Sequence, residues 1–231
     1  MVFLNNPGFN HGQGMRIHMR TKKLRWWSFV ESAVIQIGND TLEIMGGDHE
    51  SRYWVNGVLG PKNIVSGMQP FTIGGFDVRF RVLSDHKFQY KIFLNNGQTV
   101  ILRSVKDFMH VELTGHNAED FATSQGILGS YEDGLMLARD GITVLEDPNE
   151  FGLEWQVHHD EPMLFHNVEG PQHPVKCAMP DHAEPERRRL GEQTVSRQAA
   201  ELACKHVDQE SKRDCVFDVM ATNDIDMAGA Y

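Results

Sequence analysis

From residue 15 to about 114 apolar and polar side chains alternate with a period of two, the pattern of strands that bury one face. The clearest run is "FDVRFRVL", where Phe76, Val78, Phe80 and Val82 share one face and Asp77, Arg79 and Arg81 the other. It leads into "FQYKIFLNNGQTVILRSV", two alternating strands around Asn96-Gly97, a pair that accepts the positive φ angles of a tight hairpin turn. Asn56-Gly57 supplies a second such turn between "RYWV" and "VLG". "AVIQIGNDTLEIMGG" reads as strand, turn, strand, and "DFMHVELTG" buries Met109, Val111 and Leu113 while exposing His110 and Glu112. Phe76, Val78, Phe80, Val82, Tyr90, Ile92, Val111 and Leu113 are thus the expected core positions.

Short strands punctuated by turns every ~8 to 12 residues predict an antiparallel sandwich or barrel. No helix-period segment interrupts them, which argues against a βαβ enzyme fold. After "NEFGLEWQVHHDEP" the chain turns into a Pro- and His-bearing connector. Beyond that, Val195, Ala199, Leu202, Ala203 and His206 recur at helical spacing, and "RDCVFDVMA" fits a second short helix. The expected organisation is a mainly β, antiparallel double-sheet sandwich over 1–158, a linker over 159–185 and a helical tail over 186–231.

Charge narrows the partners. The net charge is −10 and no Lys/Arg face is evident along the chain, the Arg187 to Arg189 cluster being short, so nucleic acid and anionic membrane are poor matches. No run approaches the ~18 apolar residues of a membrane helix, and the N-terminus lacks the basic and apolar regions of a signal peptide. The three cysteines fit neither a zinc pattern nor a dense disulfide scaffold. Cys204 and Cys215 stand eleven residues apart on two predicted helices, which a helix-turn-helix brings within disulfide reach, and they are expected to pair.

The order of "GILGSYEDG", "DGITV" and "NEFGLEWQV" after a β-hairpin array, with a cysteine-bearing helical tail behind, resembles a von Willebrand factor type D domain. Gly126, Gly129, Tyr131 and Gly134 match the family's Gly-rich loop, Asp140 and Gly141 its Asp-Gly, and Phe151, Gly152 and Trp155 its Phe-Gly-x-x-Trp segment. The family's loop cysteine is Leu128 here, and its two asparagines are Ser130 and Glu132. Its Gly-Asp-Pro-His strand and Cys-Asp pair are missing, as if the chain began inside the domain. The resemblance implies a secreted or cell-surface module that acts in adhesion or assembly with other extracellular proteins or matrix, without catalysis. It also implies that the partner of Cys177 lies upstream, which leaves Cys177 free for intermolecular pairing.

Candidate chemistry is sparse. Glu132, Asp133 and Asp140, with backbone carbonyls and Ser130, suit one Ca²⁺ if the fold brings the two halves of the loop together, and otherwise form an acidic turn. His158, His159, Asp160 and Glu161 lack zinc-site spacing and read as solvated chain. There is no Gly-x-Ser-x-Gly elbow for a nucleophile. Asn39 begins an Asn-Asp-Thr acceptor for N-glycosylation at an expected hairpin tip. Trp26-Trp27 place one ring on each face of a strand. The second functional reading is a carbohydrate-binding or enzyme-associated sandwich with Tyr53 and Trp54 as a sugar platform.

Overall fold

A computed structural model describes residues 1–24, 27–61, 71–115, 117–158, 160–167, 195–209 and 211–231. Trp26, His159, Cys177 and the Arg187 to Arg189 cluster lie outside the described residues, as does most of the expected linker; of Trp27 only the backbone is described. The chain divides into two compact units, Met1–Lys23 with Ser28–Met179, and Leu24–Trp27 with Pro180–Tyr231.

The first unit holds two antiparallel sheets. One has six strands in sequence order: β1 (Val2–Asn6), β2 (Met15–Leu24), β3 (Trp27–Ile37), β4 (Asp40–Met45), β5 (Arg52–Val55) and β6 (Val58–Leu59). The other runs β11-β10-β9-β8-β7, with β7 (Phe71–Ile73), β8 (Phe76–Ser84), β9 (Lys87–Phe93), β10 (Thr99–Val105) and β11 (Phe108–Thr114). The sandwich is therefore built from two meanders, each strand paired with its sequence neighbour, as tight turns between alternating strands dictate. Asn56 and Gly57 take φ of 50° and 78°, and Asn96 and Gly97 take 55° and 78°, the left-handed values that motivated both turns. Strand β1 lies ahead of the residue at which alternation becomes legible.

The inner faces meet in one core. Ile17, Ala33, Ile35, Ile37, Leu42 and Ile44 from the six-stranded sheet pack with Ile73, Val78, Tyr90, Ile92, Val100 and Leu102 from the other. Phe76, Phe80 and Met109 are buried there as expected, whereas Val82, Val111 and Leu113 are only partly buried against it. Burying one such aliphatic or aromatic side chain contributes roughly 1.5–3 kcal/mol, so these layers dominate the stability of the unit.

Single turns α1 (Phe9–Gly12) and α2 (Ala118–Phe121) bring Phe9 and Phe121 into the core with ring centroids 5.7 Å apart. Helix α3 (Pro148–Glu154) starts as its sequence prescribes, with the Asp147 carboxyl accepting from the Asn149 N–H and Pro148 in the first turn.

Two sequence expectations are corrected. The segment read as the start of a linker is packed: Leu164 and Phe165 cover Val34 on the outer face of the six-stranded sheet, and Asn167 is buried beside them. On the outer face of the five-stranded sheet, Arg79, Arg81, Lys87, Lys91 and Arg103 come together from three neighbouring strands. A cationic face therefore exists that no single stretch of sequence displays.

The second unit contains α4 (Arg197–Ala203), a 3-10 turn at Cys204–His206, α5 (Lys212–Thr222) and a 3-10 turn at Ile225–Ala230. Cys204 and Cys215 form a disulfide with their Cα atoms 6.0 Å apart, the pairing that their spacing predicted. Its interior is Ala200, Cys204, Cys215, Val219, Ala221, Met227 and Ala228. The apolar face expected for α4 is corrected: Leu202 is 67 % exposed and His206 is exposed, while Ala200 and Cys204 point inward. The disulfide sets that rotation, since residues four apart share a helix face and Cys204 must look toward Cys215.

Candidate functional site

The Gly126–Gly141 loop is tied to the first strand. Asn5 and Gln125 exchange two backbone hydrogen bonds of 2.6 and 2.9 Å, and the Ile127 N–H donates to the Val2 carbonyl at 3.1 Å. Gly126 has φ of 140° and lies so close to the Phe3 carbonyl oxygen that no Cβ fits, so glycine is required there. From the other side the Val2 N–H donates to the Trp155 carbonyl at 2.8 Å. Val2, Phe151 and Trp155 then form a second small core with Ile127, Met136, Leu145 and Val157 around it. The Gly-rich loop and the Phe-Gly-x-x-Trp segment thus meet on β1, and the Trp155 indole N–H is satisfied by the Leu137 carbonyl at 2.9 Å.

Arg139 locks this assembly. Its guanidinium donates to the carbonyls of Glu154 at 2.7 Å and Gln156 at 2.6 Å, pairs with Glu161 at 2.7 Å and stands 5.1 Å from the Trp155 ring centroid. Its own N–H donates to the Glu154 carboxyl at 2.9 Å. Nothing in the local sequence announces this arginine, because every partner lies 15 or more residues downstream.

The carboxylates of the loop are used locally. Asp140 accepts from the Ile142 and Thr143 N–H groups at 2.9 and 2.8 Å and from the Thr143 hydroxyl at 2.6 Å, and the Thr143 hydroxyl first, then these amides, hold its pKa below the usual value. Asp133 accepts from the Leu135 N–H at 3.1 Å, and its pKa is lowered by a hydrogen bond from Ser130 and then by that amide. Glu132 is exposed. Each aspartate closes its own turn. Glu132, Asp133 and Asp140 do not form a trio of neighbouring donors; among the described residues the trio of metal-ligating side chains that does so is Asp48, His49 and His86.

The remaining sites are quickly placed. Asn39 is exposed at the tip of the β3–β4 hairpin, as an acceptor for glycan must be. His158 is exposed, and Glu161 is taken by Arg139. The sugar platform is corrected: Tyr53 is 5 % exposed and belongs to the inner core, and Trp54 is 9 % exposed on the opposite face, so neither offers an open ring.

A polar network under residues 163–167 had no sequence signal. Glu43, fully buried on β4, accepts from the backbone N–H groups of His166 at 2.7 Å and Asn167 at 3.1 Å through Oε2. Arg20 donates to the Asn167 carbonyl at 3.1 Å and stands 4.3 Å from the Phe165 ring centroid. His18, also buried, has its pKa lowered to about 4 by desolvation, then by the N-terminal ammonium, Arg16 and Arg139. Among the described residues no helix is long and apolar enough to cross a membrane. No family model matches the chain, and no curated protein sequence matches it.

Proposed function

We propose that this chain is a non-enzymatic binding or assembly module of the von Willebrand type D kind, working outside the cell or at its surface with other extracellular proteins or matrix. The observation that carries the reading is the second core, in which two motifs of the resemblance meet: Ile127 of the Gly126 loop and the Phe151-to-Trp155 segment pack together on the first strand, and Arg139, next to the Asp140-Gly141 turn, is bonded to Glu154. The Cys204–Cys215 disulfide adds a compartment, since small helical units with little core are stapled this way where thiols oxidise. The exposed Asn39 acceptor fits the same compartment.

The test is expression of the full chain through a secretory pathway, followed by non-reducing peptide mapping and incubation with cell surfaces and deposited matrix. A Cys204–Cys215 peptide, glycan on Asn39 and saturable retention support the reading. A chain that is exported folded and oxidised yet shows no retention on any such surface sinks the adhesive part, and reduced thiols in its native source sink the compartment.

A further inference from the structure

We propose that Asp48, His49 and His86 form a binding site for a divalent transition-metal ion of the zinc type, placed where the two sheets of the first unit meet. The loop between β4 and β5 belongs to the six-stranded sheet and carries Asp48 and His49; the turn between β8 and β9 belongs to the five-stranded sheet and carries His86. One donor atom from each lies within 4.8 Å of the others. The aspartate sits between the imidazoles: its Oδ1 is 3.2 Å from His86 Nδ1, and its Oδ2 is 3.5 Å from His49 Nε2.

Those separations leave room for one ion between the aspartate and either imidazole. Zinc binds nitrogen and carboxylate oxygen at about 2.0–2.2 Å, so two ligands spanning a tetrahedral angle stand roughly 3.3–3.6 Å apart. A hydrogen bond from a ring N–H to a carboxylate is shorter, about 2.7–2.9 Å. His86 Nδ1 does make one short contact, 2.6 Å, with the main-chain oxygen of Asp48. An ion bound at this nitrogen takes the place of that contact, and binding releases any proton the nitrogen carries. Two imidazoles with one carboxylate is a donor set for zinc and its neighbours rather than for Ca²⁺ or Mg²⁺, which prefer all-oxygen shells. Three protein ligands leave a fourth position for water or for a donor from another molecule.

Backbone contacts fix the two segments that carry the ligands. Gly46 packs against the Lys106 carbonyl in the β10–β11 turn, where an added Cβ would stand 2.6 Å from that oxygen, and Gly47 is pressed as closely against the Glu50 carbonyl. The Lys106 N–H in turn donates to the His86 carbonyl at 2.8 Å. The loop bearing two ligands and the turn bearing the third are therefore fixed to the same third turn. The imidazole centroids lie 4.9 Å apart.

Zinc chloride alone is the probe, added to the purified full chain and followed by calorimetric titration and thermal melting. One equivalent should bind and raise Tm by mass action on the folded state. His49→Ala, at an exposed position that leaves the metal-free Tm unchanged, should weaken binding at least tenfold, as should His86→Ala and Asp48→Asn. Cobalt should give the intense visible absorption of a four-coordinate N/O site in the parent chain and lose it in His49→Ala, while calcium and magnesium give neither heat nor stabilisation. Absence of saturable zinc binding overturns the proposal. So does zinc affinity that survives in both histidine variants, which would place the ion elsewhere among the twelve histidines.

Discussion

The two sheets share one core and differ on their outer faces. Along β8 burial alternates residue by residue, with Phe76, Val78 and Phe80 inside and Asp77, Arg79 and Arg81 in solvent. Along β4 it does not: residues 41–45 are all buried, including Thr41 and Glu43 on the side away from the core. The cause is the stretch around Leu164 to Asn167, which lies on the second face and gives the six-stranded sheet a cover. A sheet face that is covered by chain far away in sequence makes its strands look two-sided, and polar residues there become anchors for backbone groups instead of solvated decoration.

The largest break in the comparison should come from the shared core. Phe80 touches both Phe88 and Tyr90, with centroids 6.3 and 4.9 Å away, and Phe80→Ala should cost about 3–5 kcal/mol by chemical denaturation. An unchanged Tm would mean that this face of β8 is not inside.

Next comes acid. His18 is buried on β2 of the six-stranded sheet, with the N-terminal ammonium, Arg16 and Arg139 as its charged neighbours, and its pKa in the folded chain is lowered to about 4 from the ordinary 6.5. Between those values the unfolded chain holds the extra proton, so this share of stability is complete above about pH 6.5 and is lost as pH falls toward 4, roughly 3 kcal/mol in all. On the open sheet His110 is also lowered, through desolvation and then Arg103, but its side chain is 47 % exposed, so solvent screens its contribution, which has the same sign. Denaturant midpoints measured across that window should slope steeply for the parent chain and less for His18→Gln. An equal slope in both would assign the acid sensitivity elsewhere.

Glu43→Ala should follow at about 2 kcal/mol, because it leaves the buried amides of His166 and Asn167 without their acceptor. Hydrogen exchange distinguishes this from a general loss of stability: those two amides should lose protection while Tyr90 and Leu102 keep theirs. Uniform loss would show that the cover does not open separately from the sheet.

Legibility follows the same division. Where solvent wets one face, as in β8 and β9, alternation and the Asn-Gly pair specify strand, face and turn almost residue by residue. The short helix expected at "RDCVFDVMA" lies within α5, and the eleven-residue interval found the Cys204–Cys215 bridge. What stayed hidden depends on partners distant in the chain. Glu43 meets amides more than 120 positions away, Arg139 meets carbonyls 15 and 17 positions away, and the Asp48–His86 contact spans 38. The glycines and aspartates of the Gly126 loop were visible as residues, but whether they cap turns or gather on an ion is a question of three-dimensional convergence, and each aspartate is committed to amides two or three residues ahead of it.

The smallest effect concerns the open face itself. Arg79 and Lys91 stand directly opposite each other on β8 and β9, a like-charge cross-strand pair, and both lie over the Phe93 ring at 4.7 and 5.4 Å. Repulsion across the pair and attraction to the ring oppose each other, each worth up to about 1 kcal/mol at an exposed site. Lys91→Glu replaces repulsion by attraction and removes one of the two ring contacts, so a net gain of about 0.5 kcal/mol is expected at low salt. Salt screens the exposed charge pair, so the gain should shrink when the denaturant midpoint is measured again at about 1 M ionic strength, where the screening length falls to roughly 3 Å. The same substitution at a covered position would bury an unpartnered carboxyl and could only destabilise. A loss of stability for Lys91→Glu that does not change with salt would mean that packing over Phe93, and not charge, governs this face, and the contrast between the two sheets would then be narrower than their exposure implies.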